Sequence, residues 1–198
     1  MKKLILPAVL LFLAMASIGS VRAQASGWQI DKAHSNIYFD IRHTFATVRG
    51  QFDDFTTTID FDPQNIKDGR VEFKVDVTSI NTNIVKRDAH LRTADFFDAE
   101  KFAFMTFKSS QIRHVNDDAY ILEGELTIKD VSKQVEIPFA YLGMRENPME
   151  QNQMVAGFEA DFHINRLDYK VGSGKFADMG VVGKTVDITV TIEMLKDK

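Results

Sequence analysis

The sequence contains no cysteine at all. Disulfides are therefore excluded, and so is acylation of the kind that anchors a lipoprotein. Small exported domains that lack a sufficient core depend on disulfides, so a chain without them must bury a core of its own. Basic residues are also in short supply, with 24 Lys and Arg against 28 Asp and Glu and a formal charge of −4. That is the wrong balance for nucleic-acid binding, which needs a basic footprint. No internal repeat, low-complexity tract or linker divides the 198 residues, a length that suits one domain with one sizeable core. There is no Gly-x-Ser-x-Gly nucleophile elbow, and the five histidines show no paired spacing for zinc. Gly172-Ser173-Gly174-Lys175 lacks both the upstream glycine and the following Ser or Thr of a P-loop.

The one long apolar run is N-terminal. Lys2 and Lys3 precede an apolar stretch from Leu4 to Ala16, and small residues follow. This is the pattern of a secretory signal peptide over residues 1–23, with cleavage after Ala23 or Ala25; it is too short and wrongly flanked for a spanning helix. An uncleaved anchor is the alternative. Loss of three cations (Lys2, Lys3, Arg22) would take the formal charge from −4 to −7. Any anionic ligand of the mature chain, residues 24–198, must then be met by locally clustered cations.

The mature chain alternates apolar and polar residues with a period of two, the mark of strands with one buried face. Ile37, Phe39, Ile41 and His43 share one face, opposite Tyr38, Asp40 and Arg42. Val48 to Phe61 reads as one long strand region, with Gly50 as a bulge or bend. Further runs carry Val71, Phe73, Val75 and Val77, then Met105 to Val115, then Tyr120, Leu122, Leu126 and Ile128. Val135, Ile137, Phe139 and Tyr141 follow, with Pro138 pointing to an edge or bulge. Phe158, Ala160, Phe162 and Ile164, and finally Val186, Ile188, Val190 and Ile192, complete about eight segments. Asp168 to Gly183 is glycine-rich and reads as a loose loop. The expectation is an all-β fold, an extended antiparallel lipocalin-like barrel with up-and-down connections.

Full charges such as Glu72, Lys74, Asp76, Glu123 and Glu125 stand on the polar faces. An outer-membrane barrel turns its apolar face to lipid; this pattern instead suits a charged exterior around an apolar interior. Sixteen phenylalanines could fill that interior or line a tunnel for an extended hydrocarbon chain.

The alternation breaks once. Between Ser79 and Phe97, the residues Ile84, Arg87, Asp88 and Leu91 fall at i, i+3, i+4 and i+7, which predicts one short helical insert capped by Asn81 or Thr82. It brings Arg87, Asp88 and His90 together just before Phe96-Phe97.

Several words of the sequence fit together. They are Trp28-x-Ile30-Asp31-x-x-His34-Ser35, Arg42-His43, Val48-Arg49-Gly50-x-Phe52, Ser79-Ile80-x-Thr82, Arg87-Asp88-x-His90-Leu91, Phe96-Phe97-Asp98, Thr106-Phe107-Lys108-Ser109, Gly124-x-Leu126-Thr127-Ile128-Lys129 and Ile164-Asn165-Arg166-x-Asp168. In this order they resemble the YceI-like family over residues 28–194. The resemblance implies a lipocalin-like barrel, often periplasmic, that holds a polyisoprenoid such as a polyprenyl phosphate or an isoprenoid quinone. It implies no required cofactor beyond that bound lipid. After Arg-x-Asp the family commonly has an aromatic and a glycine, whereas this chain reads Tyr169-Lys170-Val171-Gly172, so the loop there is expected to be longer or differently shaped.

The residues expected to meet a ligand head group are Arg87, Asp88, His90, His43 and Arg49, since a guanidinium gives bidentate donors and imidazolium a further one. An Arg–Asp structural pair with a capping His is the other reading. Those expected to line the cavity are Phe39, Ile41, Phe52, Phe73, Val75, Leu91, Phe96, Phe97, Phe139, Phe158 and Phe162. His34 near Ser35 and Asp31 reads as strand-edge hydrogen bonding rather than a catalytic triad. The leading expectation is a periplasmic carrier of a long amphipathic lipid that visits the membrane surface or membrane enzymes. The alternatives are an enzyme on such a lipid, with Asp88 or His90 as acid or base, and a stress or interaction protein with a filled core. Exposed strand edges and the loop flanked by Met144, Met149 and Met154 leave a dimer open.

Overall fold

The computed structural model describes residues 27–198; the expected signal peptide and both cleavage sites lie outside the described residues. In chain order the elements are β1 (Gln29–Ile30), β2 (Asn36–His43), β3 (Ala46–Phe52), β4 (Phe55–Asp60), β5 (Arg70–Asp76), β6 (Ile80–Asn81), α1 (Val85–Arg92), β7 (Phe104–Asn116), β8 (Ala119–Ile128), β9 (Val131–Glu146), β10 (Gln153–Asn165), α2 (Gly174–Asp178) and β11 (Val182–Asp197). Among the described residues no helix is long and apolar enough to cross a membrane.

All pairings are antiparallel, and the eleven strands form one sheet in the order β4-β5-β7-β8-β9-β10-β11-β2-β3-β6, with β1 also on β11. The sheet curls into the expected lipocalin-like, barrel-shaped wall. The count exceeds eight for a physical reason. Val48 to Phe61 breaks at Asp53-Asp54, so that β3 pairs with β2 while β4 pairs with β5. One extended run thus supplies strands at both ends of the sheet and draws them together. The bonds Asp53 N to Ser79 O (3.2 Å) and Asp76 N to Asp54 O (3.0 Å) fix this corner. The two-residue β1 and β6 are too short to show any periodicity.

Alternation decides which side chains point inward. Ile37, Phe52, Phe55, Ile59, Val71, Val75, Phe107, Leu122, Ile137 and Ile192 are buried, and the charged residues between them face out. Gly50 is neither a bulge nor a bend, because the β2–β3 register runs through it unbroken. A Cβ there would overlap the Phe39 ring and lie 2.8 Å from the Thr82 methyl, so glycine makes room for a ring crossing the strand. Pro138 pairs with Ile121 of β8, and on its other side the β9–β10 ladder ends at Glu159↔Ala140, short of a residue with no N–H to give.

The region expected to be a loose loop is packed. Arg166–Tyr169 forms a 3-10 turn and α2 follows it. Tyr169 and Val171 are buried, and Phe176 stacks on Phe96 with ring centres 5.8 Å apart.

Candidate functional site: an apolar cavity with a charged end

The inner face of the sheet does not close on itself. It leaves a cavity of about 430 Å³, so the rings do not fill the interior. All eleven side chains expected to face inward line it: Phe39, Ile41, Phe52, Phe73, Val75, Leu91, Phe96, Phe97, Phe139, Phe158 and Phe162. At the end where β4 runs out, Phe61 packs against Tyr120, Phe139, Tyr141 and Phe158 at 5.1 to 5.8 Å between ring centres, a plug of aromatic groups. At the other end lie the last residues of β2 and β10, the first of β11, and α1 and α2. Here His43, Arg87, His90 and Arg166 join the lining. The cavity is thus greasy along its length and charged at one end.

Helix α1 has only eight residues, too few to be stable alone. Its attachment explains its sequence. Thr82 does not cap the helix in the expected way; Ile84 holds the cap position without a side-chain bond. Instead the buried Asp88 carboxylate accepts from the Thr82 backbone N–H (2.9 Å) and from the Thr82 hydroxyl. Arg87 donates to Thr82 Oγ1 and to Thr82 O, both at 2.7 Å. Arg92 reaches Ile80 O at 2.9 Å. The helix is thereby pinned to β6, and Leu91 drops into the cavity.

Of the five expected head-group residues, three line the cavity. Arg87 does so, and His90 does so while pairing with Asp95 at 3.1 Å and setting its ring edge-on to Phe96. His43 lies on the same face as Phe39 and Ile41 and also lines it. Asp88 does not; it is a pin for Thr82. Arg49 does not either, because Val48, Gly50 and Phe52 face inward and Arg49 faces out. It forms a forked pair with Asp40 on the outer surface, and that guanidinium holds the Asp40 carboxyl below its ordinary range.

The YceI-like domain family matches residues 28–194. Protein YceI of Escherichia coli O17:K52:H18 is 33% identical over 187 residues, covering 93% of each chain. The chain belongs to the YceI-like family. Its fold also matches solved structures. Burkholderia cenocepacia BcnA superposes with a TM-score of 0.74 at 24% identity, over 83% of this chain and 99% of that one. A polyisoprenoid binding domain from Saccharophagus degradans, implicated in plant cell wall breakdown, superposes with a TM-score of 0.64 at 16% identity, over 87% and 99%.

In this YceI-like chain one further residue stands at the charged end, and the strand pattern did not single it out as a site. Arg166 is 3% exposed at the end of β10. Its Nε donates to Gly183 O (2.7 Å), and its terminal nitrogens to Val171 O (2.7 Å) and Val182 O (3.4 Å). Burial draws its pKa downward. The one hint in the sequence is its place at the end of an alternating run, just before a glycine-containing turn. Gly172, at φ +74°, permits the arrangement: a Cβ there would sit 2.5 Å from an Arg166 terminal nitrogen and 3.0 Å from the Phe96 ring. The turn is tied down by Lys129, which donates to Phe96 O and Lys170 O, and by the Lys170–Asp130 and Lys133–Asp168 pairs.

Ser35, His34 and Asp31 do not make a triad. Ser35 Oγ exchanges hydrogen bonds with the Glu193 backbone, while His34 Nδ1 pairs with Asp31 at 2.8 Å. That pairing raises the His34 pKa and lowers that of Asp31. Glu193 comes within 3.9 Å of the same imidazole, a proximity set by β11 that no local spacing reveals.

Proposed function

We propose that this YceI-like protein is an exported, periplasmic carrier that holds a long-chain isoprenoid lipid in its cavity, with the head group at the end bearing Arg87, His90, His43 and Arg166. The observation that carries the reading is the polarity of the cavity: ring-plugged at one end, apolar along its walls and cationic at the other. A neutral hydrocarbon store would need no charged end, and a polar metabolite would gain nothing from the apolar length. The polyisoprenoid-binding fold neighbour supports the same reading. Exposed apolar side chains flank the charged end in sequence. Phe45 follows His43 by two residues, Val85 precedes Arg87 by two, and Met179 precedes Val181 by two; they are 89%, 85% and 62% exposed. They suit passage of the lipid to and from a membrane surface. The enzymatic alternative keeps only one of its two candidate groups, because Asp88 is turned toward Thr82 while His90, which lines the cavity, is paired with Asp95.

The test is a chain-length series of isoprenols. One added five-carbon unit should gain between about 1.5 kcal/mol, at the efficiency of drug-sized ligands, and about 4 kcal/mol for full burial. Affinity should therefore rise at least about tenfold per unit until the chain outgrows the cavity. Mass spectrometry of solvent extracts should show a co-purified polyprenyl species. No lipid in the extract, together with no uptake of any chain length, sinks the proposal.

A further inference from the structure

The carrier reading leaves open whether the head group is anionic or neutral, and the charged end of the cavity decides between them. We propose that Arg166, with Arg87, forms an anion site, and that the lipid carried is a phosphorylated isoprenoid rather than a quinone. The inference rests on the carrier reading and sharpens it.

A guanidinium has five N–H donors and a full positive charge. The three carbonyls around Arg166 accept three of those bonds and bring no countercharge. Among the described residues no carboxylate lies within ion-pair distance of Arg166 or of Arg87, although ten other cationic side chains have such partners. The carboxylate nearest in sequence to Arg87 is Asp88, and it reaches Arg87 only through the Thr82 hydroxyl, which donates to the carboxylate and accepts from Arg87 Nε; Arg166 has no such bridge among its three carbonyl partners. Glu159 also borders the cavity, but it is exposed and lies mid-strand opposite Thr191, well down β10 from Arg166. So one nearly fully buried cation and one half-buried cation line the same apolar cavity with no carboxylate in ion-pair distance of either.

Holding an uncompensated charge out of water is costly, of the order of several kcal/mol for a buried ion. Backbone dipoles offset part of this. A phosphate would supply the missing charge and accept a forked pair of bonds from the two free N–H groups, the geometry for which arginine is suited. A quinone offers only neutral carbonyl oxygens and would leave the charge as it found it. Arg166 and the helix that carries Arg87 also meet at one ring. Arg166 and Phe96 crowd the same absent Cβ of Gly172, and His90, one turn of α1 beyond Arg87, lies 5.1 Å from Phe96 between ring centres. A head group beside Phe96 would lie between Arg166 and the face of α1 that presents His90.

The experiment compares a C20 isoprenyl monophosphate with the C20 isoprenol of the same chain, on the mature protein by calorimetry. The phosphate should bind at least about tenfold more tightly. The advantage should shrink with added salt, and inorganic diphosphate should compete with the phosphate but not with the alcohol. Arg166→Gln should bring the ratio toward one while the alcohol still binds; where that variant fails to fold, Arg87→Gln tests the same ratio. Equal affinities for phosphate and alcohol on the wild-type protein overturn the anion site and leave the carrier reading standing. Diphosphate that binds as tightly as the C20 phosphate makes the site one for free anions and also overturns the proposal. Uptake of neither lipid overturns both readings.

Discussion

Replacing Asp88 by asparagine should lower thermal stability while leaving uptake of a neutral isoprenol nearly unchanged. The carboxylate is 7% exposed and accepts two hydrogen bonds from Thr82, one from the backbone N–H at 2.9 Å and one from the hydroxyl. A hydrogen bond to a charged group contributes about 1.5–3 kcal/mol, against about 0.5–1.5 kcal/mol for a neutral one. Over two bonds, Asp88→Asn should therefore cost about 2–3 kcal/mol. Asp88→Ala leaves both Thr82 donors without an acceptor, at about 1–3 kcal/mol each, or about 4 kcal/mol together. A domain of this size loses about 2–4 °C in Tm per kcal/mol. Scanning calorimetry should then show drops of about 4–12 °C for asparagine and about 8–16 °C for alanine. Isoprenol affinity, measured well below the melting range, should stay within about threefold, a shift of under 1 kcal/mol. If Asp88→Asn melts like the wild type yet no longer takes up lipid, Asp88 touches the ligand and the pinning argument is wrong.

Other variants test separate parts of the description. Gly50→Ala puts a methyl into the Phe39 ring, and overpacking of this kind costs about 1–3 kcal/mol; both Tm and isoprenol affinity should fall, and an unchanged melt would show that the ring has room to move. His34 should titrate by NMR above the ordinary 6.5, because Asp31 favours its charged form, and Asp31→Asn should return it toward that value. The raised His34 pKa makes its contribution present below 6.5 and lost as pH rises through the folded value. The depressed Asp31 pKa keeps that partner's contribution until pH falls through a value below 3.8. The pair should therefore stabilise between those limits, and a His34 midpoint indifferent to Asp31→Asn refutes it. Arg49→Ala removes only an exposed ion pair and should leave both Tm and lipid uptake close to the wild type; a tenfold loss of lipid affinity would bring Arg49 back to the ligand.

Period-two alternation carried most of what could be read in advance, because a strand with one greasy side must turn every second residue inward. That is why Phe39, Ile41, Phe73, Phe139, Phe158 and Phe162 were legible as inward-facing. The same rule sets Arg49 outside, since Val48 and Gly50 flank it, and a strict use of parity would have removed it from the site. The broken alternation marked α1, but not its attachment. A carboxylate bonded to Thr82 and one aimed at a ligand have the same spacing in sequence. Arg166 was harder still, because its burial depends on three carbonyls from the neighbouring turn and the start of β11 and on the missing Cβ of Gly172. The packing of α2 was hidden by glycines that look like slack, one of which, Gly172, in fact admits close contacts.

The pairing of β2 with β11 sets Asn36 opposite Thr191, so the first long strand waits for the last. Contacts between such distant parts of a chain are slow to form. The meander from β7 to β10 can assemble from near neighbours, but the cavity has no second wall until the C-terminal strand docks. A chain caught before that moment would show its row of phenylalanines to the surroundings, where they invite self-association. Truncation or delay at the C-terminus should therefore make the protein sticky as well as empty.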